Sequence, residues 1–185
     1  MKKFLLLSLL FLLTSCAHGG ESYHDSNMDF GSIKTVAVLP FVNLSHDNQA
    51  GDRVRDVFSS MLLDTGEMYV LPSGEVAKGL MRAGVGNPTA LSSDEIVKLG
   101  TVLKVNAIIS GVVREYGEVR SSSSTANVIS VSVDMMETQT GKVVWKGAST
   151  KGGITFMDRL FGGGGKPMDV VTVKAVNDLL NQLFK

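Results

Sequence analysis

The sequence predicts an α/β fold, in which helices pack on a mixed β-sheet, and three observations support this class. Residues 33–41 form an almost continuous apolar run rich in β-branched side chains, which is typical of a strand buried on both faces. Apolar residues recur at helical spacing in several later segments. Residues 107–149 contain three successive strand patterns, which predict an antiparallel meander. The predicted order is therefore β-α-β-α-α-β-β-β-α, a layered sandwich.

Three helices are predicted in the first half of the chain. The first ends near Gly66, and its predicted buried face consists of Val54, Val57, Phe58, Met61 and Leu62. A short strand at residues 68–71 leads into a second helix that ends at Gly84 and buries Val76, Leu80 and Ala83. The third helix has Ser92 or Ser93 as its N-cap, acidic residues in its first turn, and an inner stripe of Ile96, Leu99 and Leu103.

The second half begins with the meander. A strand at residues 107–116 and a loop at residues 117–126 precede a strand at residues 127–137, whose apolar face consists of Ile129, Val131, Val133 and Met135. A turn leads into the third strand, residues 142–149, with Val143 and Trp145 on one side. The last helix spans residues 168–184, and its predicted buried face is Val173, Val176, Leu179, Leu180 and Leu183.

The N-terminus has the pattern of a bacterial export signal. Two lysines precede an apolar run over residues 4–13, and small residues then lead to Cys16, the only cysteine. This junction resembles a lipobox, where the chain is cut before the cysteine and the cysteine is acylated. The run is too short to cross a bilayer, which takes about 20 apolar residues. An ordinary cleaved signal and an uncleaved anchor are the alternatives.

These features divide the chain into three parts. Residues 1–15 are the predicted lipoprotein signal peptide, and residues 33–185 are the predicted periplasmic α/β domain. Residues 16–32 between them are polar, contain two consecutive glycines and show no apolar period, so they are predicted to be a lipidated flexible tether. The sixteen residues after Cys16 would reach about 55 Å when fully extended.

Composition excludes several classes of function. The chain has 18 basic and 18 acidic residues, and removing Lys2 and Lys3 with the signal leaves 16 against 18, so no basic surface for nucleic acid is predicted. Acylated Cys16 offers no thiol, and two of the three histidines lie in the predicted tether. We therefore predict no catalytic residues, no metal site and no cofactor other than the covalent lipid.

One apolar group is predicted to dock on a membrane or on a neighbouring subunit. It lies between glycine-rich flanks and consists of Ile154, Phe156, Met157, Leu160 and Phe161. The alternative is that this segment folds back over the sheet. Trp145, the only tryptophan, is a further docking candidate as an interfacial anchor, with packing on the sheet as the alternative.

Three segments carry a resemblance to a known family. They are residues 36–41 (VAVLPF), residues 104–111 (KVNAIISG) and residues 138–145 (TQTGKVVW). Placed behind a lipobox, they resemble the family of envelope lipoproteins that includes CsgG, PelC and LpoB. The resemblance implies an anticodon-binding-domain-like sandwich and a non-enzymatic protein, in a family of which several members assemble into rings at the outer membrane.

The length of two segments separates members of this family. A membrane-spanning hairpin needs about 9–11 residues per strand, and residues 117–126 are too few for that. Residues 151–167 are nearly long enough, but Asp158 and Arg159 interrupt them and no apolar face alternates. A membrane barrel is therefore not predicted, and the pattern favours a ring or adaptor that faces the periplasm, as in PelC.

The predicted function is that of an outer-membrane lipoprotein with a periplasmic binding or scaffold domain. Ala17 after the lipidated cysteine resembles the signal for sorting to the outer membrane, whose inner leaflet would hold the lipid. We expect a homo-oligomer in a secretion or exopolysaccharide export apparatus, with envelope export or cell-wall proteins as partners. The alternative is a monomeric regulator of a peptidoglycan synthase, which would need a long disordered arm.

Overall fold

The computed structural model of the chain describes residues 22–121, 124–152 and 165–185. Its strands are β1 (Tyr23–His24), β2 (Thr35–Val38), β3 (Val42–Asn43), β4 (Tyr69–Val70), β5 (Ala107–Ser121), β6 (Ser124–Glu137) and β7 (Val143–Gly152). Its α-helices are α1 (Ala50–Asp64), α2 (Ser73–Ala83), α3 (Ser93–Leu103) and α4 (Met168–Leu183). The predicted α/β class and element order are confirmed, and β1 and β3 are two short strands that the sequence did not predict.

The strands form one mixed sheet with a parallel half and an antiparallel half. Along the sheet the order is β1-β7-β6-β5-β2-β4, and β3 also pairs with β5. The pairs β2–β4, β2–β5 and β3–β5 are parallel. The pairs β5–β6, β6–β7 and β1–β7 are antiparallel. β5 therefore joins the two halves.

Helices cover the two faces of the sheet unequally. α1 and α4 pack on one face, where the core includes Val54, Phe58, Leu62, Ile129, Val131, Val133, Met135, Val176 and Leu179. α2 and α3 pack on the other face, where the core includes Ala37, Leu39, Val76, Leu80, Ile96, Leu99 and Ile108. The second core draws on β2, the start of β5 and the end of β6. Among the described residues, the rest of the antiparallel half therefore has a helix on one face only.

The start of α3 is fixed as the sequence predicts. Ser92 is the N-cap: its hydroxyl accepts the N–H of Glu95, and the Glu95 carboxylate accepts the N–H of Ser92 at 2.8 Å. The hydrogen bond from the Ser92 backbone lowers the pKa of Glu95 below its ordinary value. This reciprocal capping box sets the first turn of the helix that covers β2.

The predicted loop at residues 117–126 is wrong. β5 continues to Ser121 and β6 begins at Ser124, with Gly117 paired to Val128 and Val119 to Ala126. Antiparallel pairing satisfies backbone N–H and C=O groups whatever the side chains are, so a polar, serine-rich sequence does not prevent it. We call this extension, residues 117–121 and 124–127, the hairpin arm.

Two predicted side-chain orientations are also wrong. A register shift in the β6–β7 pairing, between Met135 and Met136, buries Val144 and Trp145 together and leaves Val143 38 % exposed. In α4, Val173 is 46 % exposed, because the buried face of this helix includes Thr172 and Gln182 instead. These two polar residues bond their side chains within the protein, which allows them to be buried.

The flexible tether predicted over residues 16–32 is wrong for its described part, residues 22–32. This part, which we call the strap, contains β1 and a 3-10 turn at Phe30–Ser32, and it packs against the sheet. Its aspartates cap local turns: Asp25 accepts the N–H of Asn27, and Asp29 accepts that of Gly31, both at 2.9 Å. The polar composition therefore reflects turn formation rather than freedom from structure.

Candidate interaction surfaces

The strap adds a short outer strand to the sheet. Tyr23 pairs with Lys146 and His24 pairs with Trp145, in antiparallel orientation. The N–H of Asp25 donates to the carbonyl oxygen of Val144 at 2.8 Å. Main-chain pairing therefore fixes the position and direction of the chain where it enters the domain.

Side chains of the strap hold it to the end of α4. The His24 ring meets the Phe30 ring edge to face, with centroids 5.5 Å apart, and its Nε2 atom lies 3.4 Å from the Leu183 carbonyl oxygen. Met28 and Phe30 pack against the core formed with α1 and α4. The strap is therefore part of the domain.

Trp145 does not form a docking site, contrary to the docking prediction. Its side chain is completely buried, so it packs on the sheet, as the alternative stated. Two residues further along β7, a Cβ atom at Gly147 would lie 2.5 Å from Cζ2 of Trp145, so a larger residue there would force the ring to shift. Trp145 pairs with Met135 and shares its inward phase with Gly147 and Ser149, so regular alternation along β7 places the indole in the core.

The other predicted site residues lie outside the described residues. These are Cys16 and the apolar group Ile154, Phe156, Met157, Leu160 and Phe161. The strap nevertheless changes the expectation for Cys16, because the domain begins at Ser22 rather than near residue 33. Six residue steps separate Cys16 from Ser22, which span at most about 20 Å instead of about 55 Å.

The outer edge of β7 carries a group of polar side chains from α4. Asp178 accepts hydrogen bonds from Ser149 and Lys151, each at 2.7 Å. Burial raises the pKa of Asp178, but these hydrogen bonds and the nearby positive charges outweigh burial and hold the pKa below its usual value. Gln182, 4 % exposed, donates through Nε2 to the Ala148 carbonyl oxygen at 3.1 Å, while its Oε1 atom has no partner among the described residues.

A groove of about 650 Å³ lies between the strap, the segment before β4 and the C-terminus. Its apolar lining consists of Met28, Phe30, Ile33, Met68, Leu183 and Phe184. Lys34, Glu67 and Lys185 also line it, so both charge signs are present. His24 also lines the groove, where its ring packs against Phe30.

The antiparallel half presents a polar face on the side opposite α4. Three cross-strand pairs occupy it: Arg114 donates to Ser132 at 2.9 Å, Lys146 to Asp134 at 3.1 Å, and Thr150 to Ser130 at 3.1 Å. Such pairs stabilise a solvated sheet surface. Only the Lys146–Asp134 pair joins opposite charges, whereas the partner of Arg114 is a hydroxyl group.

The hairpin arm has open edges on both sides among the described residues. β3 pairs with β5 only as far as Val113, and β7 pairs with β6 only from Val128 onward. Val119, within the arm, is 52 % exposed. Unpaired strand edges are sites where another strand can add, so the arm is a second surface suited to a partner.

Two classes of site receive no support within the described ranges. They contain no group of three or more histidine, cysteine or acidic side chains that could hold a metal ion. None of their helices is long and apolar enough to cross a membrane.

Solved structures with similar folds include the following proteins. The PelC dodecamer from Paraburkholderia phytofirmans has a TM-score of 0.59 at 14% identity, covering 88% of this chain and 96% of that one. Lipoprotein GNA1162 from Neisseria meningitidis has a TM-score of 0.57 at 19% identity, covering 82% and 98%. The predicted likeness to PelC is therefore confirmed at the level of the fold. The LpoB C-terminal domain from Salmonella enterica reaches only 0.49 at 10% identity, covering 78% and 91%.

Sequence comparison gives a family. The profile described as GNA1162-like, a lipoprotein family, matches residues 24–181. The match begins inside the strap, in agreement with its place in the folded domain. No curated protein matches the chain significantly.

Proposed function

The chain belongs to the family of GNA1162-like lipoproteins, and from this premise we propose that it is an outer-membrane lipoprotein anchored through Cys16. Its α/β domain lies in the periplasm and acts by binding, as a homo-oligomeric component of an envelope export apparatus. The family is one of non-enzymatic lipoproteins, which agrees with the prediction that the chain is not an enzyme.

The observation that carries this proposal is the position of the strap. Because β1 is paired to β7, a lipid on Cys16 holds the domain within about 20 Å of the leaflet. Several acyl chains anchor durably, since each buried CH₂ contributes about 0.8 kcal/mol. A domain held this close suits assembly at the membrane surface. It suits a regulator acting far from the membrane less well, because that role needs a long arm.

Two surfaces of the antiparallel half support self-association. The hairpin arm offers open strand edges, and the polar face offers cross-strand pairs that a neighbour can contact. The structurally similar PelC is described as a dodecamer. We propose that these surfaces join copies of the chain, and that Ile154, Phe156, Met157, Leu160 and Phe161 add contacts to a neighbour or to the leaflet.

Sedimentation of the full-length lipidated protein in detergent tests the assembly. We expect a closed oligomer whose mass is independent of concentration over a tenfold range. A strictly monomeric protein at high concentration contradicts the scaffold role and favours the regulator of a peptidoglycan synthase. Replacing Val119 by Asp on the arm should shift the equilibrium toward smaller species, whereas Met81→Asp on the exposed side of α2 should not.

Membrane fractionation tests the anchor separately. We expect Cys16→Ser to abolish labelling by radioactive palmitate and to release the protein from the outer membrane. Ser15→Ala, which retains the cysteine, serves as the matched control. Unchanged labelling and fractionation of Cys16→Ser contradict lipidation at this position.

A further inference from the structure

The longer open edge of the hairpin arm belongs to β5. β3 pairs with β5 at Val112 and Val113, and on this side no strand of the described ranges pairs with β5 beyond that point. Residues 115–120 therefore pair only with β6 there. A groove of about 350 Å³ lies beside this edge, between residues 44–46 and residues 114–119. The chain that follows β3 leaves the edge uncovered, and an added strand has room beside it.

The pairing of β5 shows which backbone groups face outward along this edge. Successive residues of a strand direct their N–H and C=O groups to opposite edges, and Val113 directs its carbonyl group toward the N–H of Leu44 on the β3 side. The extra residue at Arg114 reverses this phase. In the part of β5 that follows, the even-numbered residues 116, 118 and 120 direct their N–H and C=O groups away from β6.

The edge carries two charges of opposite sign. Glu118 and Arg120 are exposed, and neither forms an ion pair among the described residues. Their cross-strand neighbours on β6 are the neutral Asn127 and Thr125. Val119 between them is exposed as well. The edge thus presents an apolar residue between two opposite charges that its own hairpin does not pair.

This order of charges is complementary to itself when the edge is reversed. In an antiparallel pair of two such edges centred on Val119, Glu118 of each copy lies opposite Arg120 of the other. Both residues direct their backbone groups outward, so they form hydrogen-bonded pairs, and the two Val119 side chains meet in the closer, non-hydrogen-bonded pair. Registers centred on Glu118 or on Arg120 instead place like charges opposite each other, which is destabilising.

We propose that the β5 edge of the hairpin arm pairs with the same edge of a second copy, antiparallel about a two-fold axis at Val119. The inference rests on the proposed self-association, and it names the surface and the register that produce it. The two sheets then form one continuous sheet, and each copy contributes the same residues, as in other isologous interfaces. An extended segment of another protein would also satisfy the backbone groups, but the self-complementary charges favour a second copy.

Charge reversal tests the pairing in the full-length protein in detergent. Glu118→Arg alone and Arg120→Glu alone each place like charges opposite each other, so sedimentation should show each variant dissociating at least tenfold more readily than the parent. An equimolar mixture of the two variants restores opposite charges and should recover the parent's assembly. Glu75→Arg, at an exposed position on α2, is the matched control and should assemble as the parent does.

The outcomes separate this inference from the proposed function. Unchanged assembly in both single variants would leave the proposed oligomer standing but would overturn the pairing of the β5 edges. Loss of assembly in the single variants without recovery in the mixture would mean that the two side chains do not face each other, which also overturns it. A monomeric parent contradicts the proposed oligomer and the pairing together.

A single cysteine tests the position of the two-fold axis. The Cys16→Ser background removes the only other cysteine, so the result does not depend on the lipid anchor. Opposed Cα atoms in a non-hydrogen-bonded pair are about 4.5 Å apart, within the range of a disulfide. Val119→Cys should form an intermolecular disulfide at least tenfold faster than Met81→Cys, which is more exposed but lies on α2. Equal rates would contradict an axis at Val119.

Discussion

The parallel and antiparallel halves of the sheet differ in how they are covered. β2 and the residue that follows it are buried from both sides: Val36 and Val38 face α1 and α4, and Ala37 and Leu39 face α2 and α3. Among the described residues, the middle of β6 is covered by a helix on one side only, and Ser130 and Asp134 occupy the other. The antiparallel half also holds the strap and the hairpin arm. The doubly covered strand therefore lies in the parallel half, and the surfaces available to partners lie in the antiparallel half.

The largest expected effect tests the stability side of this comparison. Ile108, on β5 in the parallel half, is completely buried in the core beneath α2 and α3. Replacing it by alanine should lower the free energy of unfolding by about 2–5 kcal/mol. Val119→Ala on the hairpin arm should change it by less than about 0.5 kcal/mol, since that side chain is 52 % exposed. Urea denaturation measures both, and similar losses would contradict the comparison.

Substitutions at two glycines of β7, Gly147 and Gly152, test the packing of the antiparallel half near the strap. A Cβ atom at Gly147 would lie 2.5 Å from the Trp145 ring, so Gly147→Ala should cost about 1–3 kcal/mol. Gly152→Ala meets nothing within 4 Å and should cost about 0.5 kcal/mol or less. Trp145 is the only tryptophan, so its emission should shift to the red in the first variant alone. An unchanged Trp145 emission maximum in Gly147→Ala would contradict the tight packing of the indole against Gly147.

A substitution at the C-cap of α3, in the parallel half, should stabilise the domain. Lys104 has a φ of 57°, in the left-handed region that glycine adopts without strain. Lys104→Gly should therefore stabilise the domain by about 1 kcal/mol. Lys98→Gly, inside the same helix, should destabilise it by about 1 kcal/mol. Thermal unfolding distinguishes them, and destabilisation by Lys104→Gly would contradict the assigned cap.

The smallest expected effect concerns pH and the edge of β7. The pKa of Asp178 is below its unfolded value, so its contribution is present above the unfolded pKa and is lost as the pH falls through the folded pKa. Because the Lys151 contact is about one-third exposed, we expect only about 0.5 kcal/mol. Asp178→Asn should flatten the fall in stability below about pH 4. An unchanged profile would contradict the role of this carboxylate.

Much of the fold could be predicted because burial imposes a pattern on the sequence. The apolar run at residues 33–41 indicates a strand covered on both faces. The alternation from Ile129 to Met135 indicates a strand with one apolar face. Both predictions are confirmed. The N-cap at Ser92 follows from side-chain chemistry in the same way.

The remaining errors concern strand pairing, because the sequence of one segment does not show which other strand it will pair with. Tyr23 and His24 form a strand only because β7 offers an edge, and the hairpin arm forms because β5 and β6 continue to match. Trp145 is a core residue rather than a docking residue because it pairs with Met135, whose side chain faces the core, and the register shift beside it exposes Val143. The polar group around Asp178 and Gln182 had no sequence signal, since its members are distant in the chain.

Energy transfer from Trp145 to an acceptor at the lipid headgroups tests the central claim most directly. In the lipidated full-length protein in nanodiscs, the claim that the strap holds the domain within about 20 Å of its anchor predicts efficient transfer. A variant with twenty glycine and serine residues inserted after Ala17 should show much weaker transfer. Equal transfer from the two proteins would contradict a short, strap-fixed attachment.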